Sequence, residues 1–214
     1  LELLQARFET VYLDWARALA EELLEHFEDR EAGGFWFTRD DHEALICRLK
    51  PSADNATPAG NGVAAFCLQR LGHVLGEPRY LEAAARTLRV FAPVLAAHPA
   101  AHVSLLSALE EHLAPPAVVI LRGPAAELRA WQRRLAAGYR PDCLALAIPN
   151  TVADLPPALR QPACGRATAW VCRGMTCSPP VESLRALEEL LGGRPGRSGS
   201  ADPRGVQRRD GAAA

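Results

Sequence analysis

Apolar residues recur at helical spacing through the first half of the chain. Between residues 3 and 27 they return at every fourth position, which predicts one amphipathic helix with a buried apolar stripe. Further helices are predicted after Pro58, after Pro78 and from Val103 onwards, with short connections that favour antiparallel neighbours. The stripe of the first predicted helix consists of Val11, Trp15, Leu19, Leu23 and Phe27.

Two short apolar runs stand between the first two predicted helices. Gly33-Gly34 predicts a turn, and the aromatic run 35–38 predicts a short strand. A polar turn at 40–43 and a second apolar run at 45–50 complete the pattern of a β-hairpin. We therefore expect a hairpin inserted between helices.

The pattern changes after the two prolines at 115–116. The runs 117–121 and 143–148 are continuously apolar, which is typical of strands buried on both faces. A helix predicted between them makes a βαβ unit whose strands should pair in parallel. A third strand is predicted at 167–172, and a last helix ends at Leu191.

The chain therefore divides into three predicted regions. Residues 1–114 form helical hairpins, residues 115–191 form a small α/β region, and residues 192–214 form a disordered tail rich in glycine and arginine. Because the first residue is Leu1 and not methionine, we interpret the chain as a fragment of a longer protein. An incomplete helical assembly would expose apolar helix faces.

Composition narrows the function classes. The 24 basic and 25 acidic residues give a net charge of −1, without the basic surplus of a nucleic-acid-binding protein. No apolar run approaches the ~20 residues of a membrane span. The six cysteines are irregularly spaced, and we interpret them as structural thiols of a protein in the reducing cytoplasm. Cys67 and Cys143 are predicted to be buried, and the pair Cys172 and Cys177 is only a weak metal or redox signal.

The densest polar cluster follows the aromatic run. A sugar ring could stack on Trp36, and charged groups could bind its hydroxyls. His42 and Glu43 could exchange protons near neutral pH, as a general acid and base do. The competing interpretation is a charged turn that merely caps and solvates the hairpin. The remaining substrate-binding candidates of this cluster are Asp41, Arg48 and Lys50.

A second candidate is the glycine-rich segment 57–62. Asn61 offers both a donor and an acceptor beside the free N–H groups of a helix N-terminus, which suits an anionic or polyhydroxyl ligand. The alternative is a helix start that packs closely against another helix. The residues leave both interpretations open.

These motifs resemble a known block. Gly33-Gly-Phe-Trp-Phe-Thr, Asp41-His-Glu-Ala-Leu-Ile, Arg48-Leu-Lys and Asp54-Asn-Ala-Thr-Pro-Ala-Gly-Asn-Gly together resemble the thioredoxin-domain-containing protein family related to spermatogenesis-associated protein 20. That family carries a thioredoxin-like domain followed by an (α/α)6 toroid of the six-hairpin glycosidase type, similar to N-acylglucosamine 2-epimerases. The resemblance implies that this chain holds the C-terminal toroid hairpins and an α/β appendage. Three residues depart from the pattern: Phe37 replaces an aspartate, and Ala59 and Gly62 replace serines.

Two functions follow as expectations from the resemblance and the cluster. The first is epimerase-like proton transfer on a small carbohydrate, with no cofactor and no metal. The alternative is a non-catalytic module that binds a ligand or supports the missing thioredoxin-like domain and toroid hairpins. We expect neither nucleic acid nor membrane among the partners.

Overall fold

The protein is mainly helical, with a small β part. The computed structural model describes residues 1–43, 45–174 and 176–192, so nearly all of the predicted disordered tail lies outside the described residues. In the described part, no helix is both long and apolar enough to span a bilayer. The helices are α1 (Glu2–Ala6), α2 (Thr10–His26), α3 (Gly60–Leu75), α4 (Pro78–Ala97), α5 (Val103–Leu113), α6 (Ala125–Ala136) and α7 (Leu184–Gly192). The strands are β1 (Ala117–Gly123), β2 (Cys143–Pro149), β3 (Thr168–Arg173) and β4 (Thr176–Cys177), and 3-10 turns occupy Pro99–Ala101 and Pro157–Leu159.

Helices α3, α4 and α5 pack side by side as the sequence predicts. Helix α3 ends at Gly76, whose φ of 65° is the left-handed conformation that glycine adopts readily. Gln69, buried on α3, donates from Nε2 to the Ala108 carbonyl of α5 at 2.9 Å, which joins the two helices. Helix α4 passes through Pro93 and continues to Ala97.

The four strands form one sheet in the order β2-β1-β3-β4. Strand β1 pairs in parallel with β2, which confirms the predicted βαβ unit, and pairs antiparallel with β3. Because both faces of the sheet are covered, every residue of β1 is buried.

The two faces of the sheet pack against different helices. One face, with Ile120 and Trp170, shares a buried apolar cluster with the helices α2 to α5. The other face, with Val119 and Val171, packs against Leu187 of α7 and residues of α6. The sheet therefore lies between the helical layer and its own two helices.

The first predicted helix is wrong in two respects. The chain leaves the helical conformation at Arg7 (φ −155°, ψ 117°), which separates α1 from α2; α1 contacts the edge strand β2, and its Leu4 is buried. On α2 the buried residues are Leu13, Ala20 and Leu24. The predicted core residues Trp15 and Leu19 are instead 67% and 64% exposed, and Val11 is 58% exposed.

The predicted β-hairpin at 34–50 is also wrong. The described residues of this segment form an irregular loop, in which Phe37 N donates to Leu49 O at 2.8 Å and Glu28 forms an isolated bridge with Phe35. A two-stranded hairpin is marginal unless one face packs against a core. Here the side chain of Phe37 is 72% exposed and Ile46 is fully exposed, so the alternating apolar residues have no surface to cover.

Two of the cysteine predictions need correction. Cys67 is exposed on α3, and Cys172 forms a disulfide with Cys177, where free structural thiols were expected. The register of β3 and β4 places these two residues directly opposite each other, which sequence spacing does not reveal. Cys143 is partly buried, close to expectation.

Candidate functional site

The loop between α2 and α3 is fastened to the core through Asn61. Its Oδ1 accepts from Phe35 N at 2.7 Å, and its Nδ2 donates to Phe35 O at 2.9 Å and to Pro51 O at 2.8 Å. The residue is only 2% exposed. Because both amide hydrogens are in use, Asn61 has no free donor for a sugar hydroxyl. The structure thus gives this predicted substrate-binding residue a role in holding the loop.

Trp36 lies beside the two cations that the sequence placed in the same cluster. Lys50 Nζ is 4.3 Å from the ring centroid, and the guanidinium carbon of Arg48 is 5.0 Å from it. Arg48 also donates to Thr38 O at 2.5 Å. These contacts occupy the aromatic surface with protein cations, an arrangement that stabilises the loop by itself.

Lys50 makes a largely buried ion pair within this loop. Its ammonium lies 2.6 Å from Asp29 Oδ2 and donates to Gly33 O at 2.8 Å, and both side chains are largely buried. The hydrogen bond from Lys50 lowers the pKa of Asp29, and the backbone N–H groups of Ala32 and Glu31 lower it further. Asp29 was not a sequence candidate, although its position before Gly33-Gly34 is typical of a turn-forming aspartate.

Asp54 holds the same loop against α5. Its carboxylate accepts from Ser104 Oγ at 2.5 Å, from Ser104 N at 2.8 Å and from Ala59 N at 2.8 Å. Gly62 lies so close to α5 that a Cβ placed there would meet Ser104 Oγ at 2.1 Å. Ser104 therefore leaves no room for a side chain at position 62, where the family that the sequence resembles has a serine. The helix begins at Gly60, two residues after the predicted start at Pro58.

The predicted acid–base pair lies apart from these contacts, on the exposed tip of the loop. The His42 ring contacts the backbone oxygen of Glu43 at 3.3 Å. Both residues are exposed, as is Asp41, whose carboxylate accepts from Arg39 at 2.9 Å and 3.3 Å. The structure therefore brings Trp36, Arg48 and Lys50 together within the loop that Asn61 anchors. His42, Glu43 and Asp41 face solvent.

One histidine of the neighbourhood was missed by the sequence analysis. His26 Nδ1 lies 2.9 Å from Asp40 Oδ1, and this hydrogen bond raises the pKa of His26. Arg39 forms an ion pair with Glu22 of α2. These contacts attach the loop to the end of α2. In the sequence, the only sign of these contacts is the polar run 39–43, and that run does not show that its partners are His26 and Glu22 of α2.

An apolar groove lies between α2 and α3, away from the loop. It has a volume of about 250 Å³, and Trp15 and Leu19 form one wall. Cys67 and Leu71 of α3 line the other wall. Single exposed apolar residues are ordinary, whereas this groove brings several of them together.

A buried ion pair between Arg70 and Glu111 joins α3 to α5. Arg70 Nε donates to Glu111 Oε1 at 2.7 Å, and its guanidinium also reaches Glu2 and the Pro141 carbonyl, both at 3.1 Å. Burial raises the pKa of Glu111 although Arg70 opposes the shift. Within the described residues there is no group of three or more His, Cys, Asp or Glu side chains that could hold a metal ion.

Two curated proteins are similar to most of this chain. Human spermatogenesis-associated protein 20 is 28% identical over 201 residues, which cover 89% of this chain and 25% of that protein. The mouse protein of the same name is 29% identical over 203 residues, with the same shares. No family model matches the sequence. The chain thus spans about a quarter of the length of the curated relatives it matches.

Proposed function

We propose that this chain is a non-catalytic module of a longer polypeptide, and that its groove between α2 and α3 docks a helix from another part of that polypeptide. The (α/α)6 toroid implied by the sequence resemblance would supply such a helix, because each helix of a ring packs between neighbours. We also propose that the helical region ends at residue 114, that the α/β region begins at residue 115, and that the protein is cytoplasmic.

The apolar arc of α2 is the observation that carries this proposal. Placed 100° apart, the apolar residues from Val11 round to Leu24 span roughly 220° of the helix, whereas a helix with one packed face needs little more than 100°. The protein buries Leu13, Ala20 and Leu24 and packs Tyr12, Ala16, Leu23 and Phe27 partly against its core. The sector left uncovered spans roughly 80° and holds Val11, Trp15 and Leu19.

The choice of occupant rests on the comparisons. The curated relatives are about four times as long as the matched segment, so they contain ample chain to supply a helix. The side of α2 that carries Asp14, Arg17 and Glu25 faces solvent, while the groove side is apolar. An amphipathic helix that presents aliphatic residues therefore fits the groove.

The loop residues support a non-catalytic role. The amide of Asn61, the ammonium of Lys50 and one guanidinium nitrogen of Arg48 bind the protein's own backbone or side chains. A binding site needs polar groups that are free to meet the ligand. These residues explain why the loop has a defined shape, without invoking a substrate.

A double substitution tests the docking. Trp15→Glu with Leu19→Glu should leave the 214-residue chain as stable as before, because both side chains are already exposed. In the natural polypeptide the same substitutions should lower the midpoint of thermal unfolding, since they place charges in a buried helix contact. Arg17→Gln, on the solvent side of the same helix, is the matched control.

Three outcomes would reject the proposal. They are equal effects of the double substitution in both proteins, a natural polypeptide no longer than this chain, and a dimer of the 214-residue chain that the double substitution dissociates. The last outcome would make a second copy of the chain the occupant.

Carbohydrate chemistry is the second candidate. It is favoured by the partly exposed ring of Trp36 and by the exposed His42 and Glu43 at the tip of the same loop. If His42 is the acid or base, His42→Ala in the natural polypeptide should abolish sugar turnover without changing thermal stability. Unchanged turnover would exclude His42 from that role.

A further inference from the structure

Cys172 and Cys177 stand opposite each other at the end of the sheet and form a disulfide. Cys172 belongs to the buried cluster that the sheet shares with the helices, and is 8% exposed. Cys177, on the two-residue strand β4, is exposed. The bond therefore has one shielded and one accessible sulfur.

We propose that this pair is a reversible redox site, which passes between disulfide and dithiol by exchange with thiol reductants. The inference is independent of the helix-docking function. It rests on two features: the fold holds β3 and β4 together without the bond, and one sulfur is open to attack.

Hydrogen bonds next to the disulfide keep this edge of the sheet in place. Ser178 N donates to Val171 O at 2.9 Å, and Val171 N donates to Ser178 Oγ at 3.1 Å. Further along, Ala169 and Val181 exchange two backbone hydrogen bonds, of 2.8 Å and 2.9 Å. The sequence separation of the two cysteines is only 5, so the bond restricts the unfolded chain less than a long loop closure would. The pair is thus poorly suited to stabilising the fold and well placed to change state within it.

The exchange follows ordinary thiolate chemistry. A reductant thiolate attacks Sγ of Cys177, forms a mixed disulfide with it and releases Cys172 as a thiolate. A second reductant thiol then displaces Cys177, so that the reductant becomes a disulfide. The protein gains two electrons and two protons as two cysteine thiols.

The partly buried thiol of Cys143, on the same sheet, is a poor competitor for this bond. Cys143 begins β2 and packs with the cluster on the opposite face of the sheet from Cys172. Burial raises the pKa of Cys143 to about 11, so it holds little thiolate at neutral pH. The exchange is therefore expected to be confined to the pair.

Equilibration in glutathione buffers tests the proposal. The 214-residue chain is incubated at a series of reduced-to-oxidised glutathione ratios, quenched in acid and alkylated with N-ethylmaleimide before peptide mass mapping. We expect Cys172 and Cys177 to lose labelling together as the buffer becomes oxidising, and to regain it fully on return to reduced glutathione. Labelling of the exposed Cys47 should change by less than about twofold over the ratios at which the pair converts.

Digestion with trypsin provides a second readout. Arg173 is exposed between the two cysteines, so cleavage after it should leave fragments that stay joined in the oxidised protein and separate in the reduced one. The midpoint of thermal unfolding should be similar in the two states, because the strands are held without the bond.

Serine variants identify the attacked sulfur. With Cys172→Ser, Cys177 should take up a glutathione adduct in the oxidising buffer, and with Cys177→Ser the shielded Cys172 should take up at least about tenfold less. Three results would overturn the proposal: a pair that remains labelled in every buffer, an oxidised pair that reduced glutathione cannot reopen without unfolding the protein, and equal adducts on the two variants.

Discussion

Removal of the Asn61 amide is the sharpest test of how the loop is held. In Asn61→Ala, the buried N–H and C=O groups of Phe35 lose their partner, and so does the carbonyl of Pro51. An unsatisfied buried group costs about 1–3 kcal/mol. For two to three such groups, we expect a loss of about 2–9 kcal/mol in the free energy of unfolding. That is a large fraction of the ~5–15 kcal/mol typical of a folded protein.

A second variant separates the hydrogen bonds from the volume of the side chain. Asn61→Asp keeps the size and the acceptor for Phe35 N, but it turns a carboxylate oxygen towards two carbonyl oxygens. A protonated carboxyl can donate to one of them, so this variant should be less destabilised at pH 4 than at pH 7. A ligand-binding role would predict no such pH dependence of stability in the absence of ligand.

Urea unfolding followed by tryptophan fluorescence measures both variants. Asn55→Ala is the matched control, because the exposed side chain of Asn55 accepts only the neighbouring Ala56 N–H among the contacts seen; its effect should stay within about 0.5 kcal/mol. An Asn61→Ala protein within about 1 kcal/mol of the wild type would refute the structural role of the amide.

Three further substitutions follow from the same geometry. Gly62→Ala should lower stability by about 1–3 kcal/mol, since its Cβ would lie within 3 Å of α5; an unchanged calorimetric midpoint would contradict this. Arg70→Met leaves the buried carboxylate of Glu111 without its cation. It should lower the free energy of unfolding by about 3–5 kcal/mol at pH 8 and by less at pH 5. The control Arg185→Met removes an exposed ion pair and should lower it by under about 1 kcal/mol. Asp29→Asn should destabilise at pH 7. Because folding lowers the pKa of Asp29, its contribution is present above an unfolded pKa of about 3.9 and disappears as the pH falls through the folded value, so the stabilities of wild type and variant should converge in chemical denaturation as the pH is lowered below that value.

Local signals predicted the sheet region well. The continuous apolar runs at 117–121 and 143–148 identify strands buried on both faces, and their spacing requires a helical crossover and parallel pairing. The sheet obeys these rules because burial on both faces leaves little freedom in register. The disulfide escaped prediction because it depends on an antiparallel register that sets Cys172 against Cys177.

Periodicity identifies helix α2 but not which of its faces is buried. The stripe of Trp15 and Leu19 has helical spacing and is in a helix, yet faces solvent. A periodic pattern reports that a face is suited to packing, not which part of the protein covers it. The prediction that Trp15 and Leu19 are buried is wrong for the 214-residue chain. Their exposure is also the observation that supports the docking proposal.

The candidate site shows a related limit. Sequence spacing gathers Trp36, Arg48, Lys50 and Asn61, and the structure places them in one loop region, but it directs their polar atoms inward. Side chains that bind a backbone and side chains that bind a sugar are the same residue types. Only the partners distinguish them, and these lie far away along the chain, as Asn61 and Phe35 do.

Hydroxyl-radical footprinting of α2 tests the helix-docking claim most directly. The 214-residue chain and its natural polypeptide are oxidised under identical conditions, and modification of Trp15 and Leu19 is compared with that of Tyr139, which is 94% exposed and lies outside the groove. We expect both α2 residues to be modified in the short chain and protected by at least about fivefold in the natural polypeptide, as burial removes their contact with water. Tyr139 should serve as the reference for equal exposure to radicals. Equal modification of Trp15 and Leu19 in the two proteins would show that no helix covers the groove.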